Sequence, residues 1–199
     1  MRKLALVLVA MMGLSSVAMA AEQGVEIEFE RERGTESPNT MSNTVKVAPF
    51  YKLDNGVKLD LQIGASRDDG SVSGNNNAIE NTVEARAQKM FEVAPGLELG
   101  ARVGLGEVFN GTNSAGNTVD FGYYTFTPKA EYAVTDKLSA LASWRYRNAF
   151  SDSNNYQTRT WKGGFGFAVT KKDTVEVQYF QKRGDLNVNG IELSYGRSF

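Results

Sequence analysis

The sequence contains no cysteine and no histidine. Without cysteine there is no disulfide framework, so stability has to come from packing and strand pairing. Without either residue the usual transition-metal ligands are gone. A serine has no histidine base to activate it, so it is not a ready nucleophile. Charge of one sign is also missing: 22 Lys and Arg stand against 23 Asp and Glu, for a net charge of -1, which argues against a nucleic-acid partner. Beyond the first twenty residues there is no apolar run of about eighteen residues, the length a membrane-spanning helix needs.

What is present begins with the N-terminus. Arg2 and Lys3 are followed by the apolar run Leu4 to Met12 and by Ala18-Met19-Ala20, a small-x-small site. These are the parts of a secretory signal peptide, expected over 1–20 with the mature chain starting at Ala21. Removing Arg2 and Lys3 takes the formal charge from -1 to -3. No cysteine follows the apolar run to carry a lipid anchor. The remaining chain, 21–199, has the length of one domain.

At the other end, Gly190 to Phe199 alternates strictly. Ile191, Leu193, Tyr195 and Phe199 fall on one face, and Glu192, Ser194, Gly196 and Ser198 on the other. A two-residue period means a strand with one apolar and one polar face. The same pattern gives ten candidate strands, near 25–33, 44–52, 57–66, 81–93, 97–109, 120–134, 138–150, 158–169, 174–183 and 190–199. The connections near 54, 95, 136 and 172 are tight, the first carrying Asn55-Gly56, a strong hairpin signal. Those near 38, 70, 114, 153 and 186 are longer and rich in Asn, Ser, Gly and Asp.

The chain resembles bacterial outer-membrane β-barrels, which sort their connections into short periplasmic turns and longer outside loops and end on a terminal aromatic strand. The expected fold is all-β, an up-and-down antiparallel transmembrane barrel of about ten strands, with eight and twelve as the neighbouring even counts. The resemblance implies recognition of the C-terminal strand by the barrel-assembly machinery, with Arg197 where an apolar or aromatic residue is usual. It also implies contact with outer-membrane lipid and lipopolysaccharide, and a monomer. The enzymes of this compartment that rely on a catalytic histidine have no counterpart here. No catalytic residue, cofactor or metal is expected. Asp68 and Asp69 offer oxygen ligands, but without the spacing of a calcium loop.

In that frame the apolar face meets lipid and the charged face lines the lumen. The lipid face includes Ile27, Val47, Leu61, Val103, Phe126, Phe165 and Val177. Lys89 falls on it, which predicts a bulge or change of phase in the fourth strand, and Pro128 lies awkwardly inside the sixth. Tyr51, Phe91, Tyr132 and Phe199 on one side and Phe109, Phe121, Tyr146 and Trp161 on the other resemble interfacial girdles. The expected pore-lining set is Glu26, Glu28, Glu30, Glu32, Lys46, Lys58, Arg86, Arg102, Lys129, Glu131, Arg145, Arg147 and Lys162, joined on the same face by Asp60, Glu84, Glu92, Glu98, Glu176, Lys182 and Glu192. Gly100, Gly104, Gly106, Gly164 and Gly166 share that face, where they either leave space in the lumen or relieve strand curvature. Arg86, Arg102, Lys129, Arg145, Arg147 and Lys162 would form one wall and the four glutamates of the first strand the other.

Two readings of this interior stand. One is a narrow channel for passive diffusion of small polar solutes between walls of unlike charge. The other is a closed barrel whose acids and bases pair, with a structural or surface-binding role. V-E-I-E-F-E-R-E-R, T-V-K-V-A-P-F-Y-K-L-D-N-G-V-K-L-D-L and S-W-R-Y-R-N are similar to segments of the oligogalacturonate-specific porin family, which implies a channel, with short acidic oligosaccharides as one solute class. The present chain is shorter, has fewer candidate strands, and lacks the excess of bases that selectivity for acidic sugars calls for. Arg31, Arg33, Arg67, Arg159 and Arg183 sit near the outer rim, where they either meet lipopolysaccharide phosphates or stand as solvated rim charges.

Overall fold

A computed structural model describes residues 20–35, 41–68, 79–112, 118–151, 156–185 and 187–199. The leader assigned to 1–20 lies outside them except for Ala20. The alternating segments form β1 (Ala20–Gly34), β2 (Met41–Leu53), β3 (Lys58–Asp68), β4 (Ile79–Ala94), β5 (Leu97–Thr112), β6 (Thr118–Ala133), β7 (Leu138–Ala149), β8 (Gln157–Ala168), β9 (Asp173–Gly184) and β10 (Val188–Ser198). Each strand pairs antiparallel with its sequence neighbours, and β1 pairs with β10, so the sheet closes on itself. Phe199 takes part in the closure: its N–H donates to the Gln23 carbonyl at 2.8 Å. Closure satisfies every edge, which a sheet facing hydrocarbon requires.

The period of two sorts the side chains as the sequence predicts. Ile27, Val47, Ile63, Val103, Phe126, Phe165, Val177 and Leu193 are exposed on the outside. Glu28, Lys46, Asp60, Glu84, Arg86 and Glu192 are buried inside. Tyr51, Phe91, Tyr132 and Phe199 are exposed outside at the end bearing the tight turns, and Trp161, 63 % exposed, near the opposite end. Trp161 packs against Trp144, which stacks on Tyr146.

Four expectations are corrected. Phe121 is buried inside the barrel rather than in the outer girdle. It shares its parity with Tyr123 and Thr125, both of which point inward. Lys89 does face outward, opposite Ala101, and the register around it is continuous; the bulge of this hairpin comes later, between Glu92 and Ala94. Lys89 reaches the Phe91 ring, 5.1 Å from its centroid, at the turn end, where a long side chain can carry its charge out of the apolar zone. The β9–β10 connection is not long: it occupies 185–187. Gly184 takes φ +125 there, and the Arg183 guanidinium donates to the Lys182 and Val188 carbonyls and to Asn189 Oδ1, which holds the reversal tight.

The fourth correction concerns the inward glycines. Gly104 lies against the Glu84 and Thr125 side chains, Gly106 against the Tyr123 ring, and Gly100 and Gly164 against the backbone of the adjoining strands β4 and β9. Of these five, only Gly166 keeps its neighbours at van der Waals distance or beyond, with Leu141 Cδ1 at 3.5 Å from where a Cβ would sit. Three of the inward glycines have an aromatic ring from the residue directly opposite folded over them: Gly24 under Phe50, Gly106 under Tyr123 and Gly190 under Phe180. The missing Cβ lets the ring lie flat on the wall.

Pro128 is accommodated by a local gap. The β6–β7 ladder runs from Tyr123↔Ala149 to Phe126↔Tyr146 and resumes at Lys129↔Ser143, while the β5 side stays paired through Ala101↔Pro128. Pro49 does the same in β2, where pairing with β3 stops at Val47↔Ile63 and resumes at Phe50↔Asp60. Each proline lacks the N–H for one ladder, and only that ladder is interrupted.

Val177 lies mid-strand on the outer face. Replacing it with arginine is expected to cost about 2–4 kcal/mol, the cost of a base at the midplane of a lipid-facing barrel wall. Urea unfolding in lipid vesicles measures it; an unchanged midpoint would mean that this face does not meet acyl chains.

Candidate functional site: the charged lumen

The first strand supplies Glu22, Glu26, Glu28, Glu30 and Glu32 along one inward line, and each meets a base. At the turn end Lys52 is 3.7 Å from Glu22, and Lys58 pairs with Glu26. At mid-height Lys46 lies between Glu28, at 3.4 Å, and Glu30, at 2.6 Å. Toward the loop end Lys182 reaches Glu32 at 2.5 Å. Glu28 and Lys46 are direct cross-strand partners, so that pair is set by register alone.

Other contacts cross the bore. Lys162 of β8 reaches Glu30 of β1 at 3.0 Å while also pairing with Glu192 of β10. Arg86 of β4 pairs with Asp60 opposite it on β3 and comes within 3.9 Å of Glu28 on β1. Glu84 of β4 binds Arg145 of β7 at 2.6 Å and accepts the Thr125 hydroxyl at 2.6 Å. Glu30 and Glu192 are direct cross-strand partners, a like-charge pair that would be destabilising alone. The Lys162 ammonium between them converts it into a bridge.

This arrangement follows from desolvation. Asp60 and Glu84 are each 2 % exposed. A carboxylate so buried is tolerated only when paired and hydrogen-bonded. Glu28, Glu30 and Glu192 place carboxylate oxygens within 4.8 Å of one another, a spacing that could hold a cation. Lys46 and Lys162 supply the positive charge there, so the trio is a lysine seat.

Above this layer, toward the loop end, the interior turns aromatic. Val108, Phe121, Tyr123 and Ala149 form a buried cluster with Tyr156 packed against it. The Arg147 guanidinium lies 4.0 Å from the Tyr123 ring centroid and 5.0 Å from that of Tyr156. Arg147 Nε and Nη2 have no hydrogen-bond acceptor among the described residues, so the ring faces are what stabilises its charge. Phe180, 1 % exposed, lies below Lys162 and Lys182 on the β9 wall.

Below the layer, toward the turn end, is a cavity of about 410 Å³. Glu22, Lys52, Lys172 and Ser198 line it at its mouth, and Glu28, Glu84, Arg86, Arg145 and Lys162 at its inner end. Arg102 and Lys129 project into it and share one acceptor, the Gln88 side-chain carbonyl, at 2.9 and 3.2 Å. Glu131 also lines it. Among the described residues the cavity does not extend past the ion-pair layer to the aromatic cluster.

All thirteen side chains of the sequence-derived lining set thus sit on the inward face. The acidic strand β1 lies across the ring from the arc β4 to β8 that carries most of the bases. They do not stand apart as two walls at mid-height; they meet. The interior rings Phe50, Tyr123, Tyr156 and Phe180, and Gln62, Gln88, Thr125 and Thr160, were not anticipated. Their parity was the available signal, since each except Tyr156 shares the two-residue phase of a charged lumen residue. Asp69 lies outside the described residues, as does the side chain of Asp68.

A closed antiparallel ring with an apolar exterior and an ionised interior is the class of the membrane β-barrel. The chain belongs to the family described as outer membrane protein beta-barrel domain, whose pattern matches residues 6–168. It is similar in fold to the beta domain of the Bordetella autotransporter BrkA, at 13 % identity and TM-score 0.57, covering 90 % of this chain and 100 % of that one. It is also similar to the NanC porin, at 10 % identity and TM-score 0.52, covering 87 % and 98 %. A KdgM porin in complex with disordered oligogalacturonate aligns over 87 % of this chain and 99 % of its own, at 11 % identity and TM-score 0.47. No curated protein sequence matches. At these identities the likeness is one of fold.

Asp60→Ala leaves Arg86 buried and without its in-register partner. The expected loss is about 3–5 kcal/mol of unfolding free energy, the cost of orphaning a buried charge. The double variant Asp60→Ala, Arg86→Met should recover much of it. Urea unfolding of the refolded barrel checks both, and a double variant no better than the single would show that the pair is not coupled.

Proposed function

We propose that the protein is a narrow outer-membrane channel for small polar solutes that rests closed, with the layer around Lys46, Arg86, Arg145 and Lys162 as its gate. The observation that carries this reading is that the turn-end cavity ends on side chains alone. No backbone segment among the described residues crosses the bore at the layer; ion pairs do. Lys46 and Lys162 each touch two carboxylates and share Glu30. A shared cation can pass from one partner to the other without being left unpaired, which lowers the cost of parting the layer. Passage would be passive diffusion past a mixed-charge constriction. The fold likeness to the NanC porin supports a channel; the near balance of acids and bases gives no preference for an acidic oligosaccharide.

In this reading residues 1–20 are an export signal, the four tight turns and both chain ends face the periplasm, and the loop end faces outside. The C-terminal strand would be the segment offered to the barrel-assembly machinery, and the unit a monomer.

A second reading has one observation in its favour. Val108, Tyr123 and Phe180 are 0–1 % exposed, so the loop-end half is packed like a core. Such a barrel would be permanently closed and would act through its outer surface.

Planar-bilayer recording separates the two. The wild-type protein should give small, brief, salt-dependent steps. Lys162→Gln with Arg145→Gln removes two crossing contacts and should lengthen the open periods several-fold. Silence from both proteins, with folding verified by heat-modified gel mobility, would sink the channel and leave the closed barrel.

A further inference from the structure

We propose that the loop-end rim over strands β8, β9, β10, β1, β2 and β3 is a docking surface for the phosphate groups of the outer-leaflet glycolipid, lipid A. The surface is defined by register. Arg159 of β8 and Arg183 of β9 are direct cross-strand partners on the outward face. Next in order come Asn189 of β10, paired with Arg33 of β1, and then Arg31, opposite Asn43 of β2, which in turn faces Arg67 of β3. The row is continuous around the ring.

Three observations point to an anionic lipid. First, like charges directly opposite on one face repel, and Arg159 and Arg183 form no ion pair among the described residues. Arg183 spends its donors on the Lys182 and Val188 carbonyls and on Asn189, which fix its guanidinium at the rim without neutralising it. Among the described residues, Arg31 donates to the Met41 sulfur, at 3.4 Å, and forms no ion pair. Second, the height is right. Trp161 stands two residues below Arg159 on the same outward face, and Tyr179 four below Arg183. Aromatics of this kind mark the level of the headgroup boundary, which places the guanidiniums at the phosphates. Third, the row is one-sided. The outward loop-end positions of β5 and β6 carry Glu107 and Asp120, with Phe109 and Tyr124. A general attraction to anionic lipid would have no cause to leave that half acidic. The basic residues are all arginine, whose planar fork suits bidentate phosphate binding.

The proposal rests on the orientation given above, with the loop end outside, but not on conductance, so the two fail separately. Purified full-length protein in detergent is mixed with bisphosphorylated lipid A, dephosphorylated lipid A, or phosphatidylglycerol, and bound lipid is counted by native mass spectrometry. Wild type should retain bisphosphorylated lipid A in preference to the other two. Arg159→Gln with Arg183→Gln should reduce retention roughly tenfold or more, as expected for losing charged hydrogen bonds. Arg159→Lys with Arg183→Lys, which keeps the charge without the fork and guards against a folding defect, should fall between. Lys89→Gln, outward at the turn end, should match wild type. Equal retention by wild type and the glutamine variant overturns the proposal, as does equal retention of phosphatidylglycerol by the wild type.

Discussion

The pairing of β1 with β10 is the constraint from which the rest follows. An open sheet would present unpaired N–H and C=O groups to hydrocarbon, at several kcal/mol each, of the order set by burying unsatisfied polar groups. Once the ring is closed, each strand has one face toward lipid and one toward the bore, and the two-residue period decides the chemistry of both. The hydrogen bond from Phe199 to Gln23 places the final residue of the chain at that seam. The two interior prolines show how firmly the ring is held, since each interrupts one ladder and leaves the other intact.

The interior then has its own constraint. The first strand puts a line of glutamates into a bore too narrow to solvate them freely, and the neighbouring strands answer with bases. Some answers are local, such as Glu28 with Lys46 and Asp60 with Arg86. Others span the bore, as Lys162 with Glu30 and Glu84 with Arg145. The local pairs follow from strand register. The spanning pairs depend on the curvature and diameter of the finished ring, and these turn opposed walls into a layer. Among the described residues Arg147 pairs with no such acid, and rings hold it instead.

Much of this was legible in the sequence. Ten alternating segments, the tight turns and the inward or outward assignment of nearly every charged residue come from a period of two, and the period is local. Phe121 was misplaced because proximity to a strand end was weighed over parity. What the inward glycines make room for was not legible, because a sequence does not show which ring lies opposite; Gly106 is filled by Tyr123 from the next strand. The meeting of Lys162 with Glu30 was illegible because it joins residues on strands that do not pair. The β9–β10 reversal looked long because the contacts that tighten it come from the Arg183 side chain, not from a turn motif.

The glycines covered by rings bear on how such a wall can change over time. At Gly24, Gly106 and Gly190 the calibre of the bore is set by a two-residue exchange between neighbouring strands. A side chain larger than hydrogen at any of them would lift the opposing ring off the wall and into the passage. A smaller residue in place of the ring would widen the passage at that height while leaving the number of staves untouched. Calibre is therefore adjustable level by level, through point substitutions, in a cylinder whose circumference is fixed.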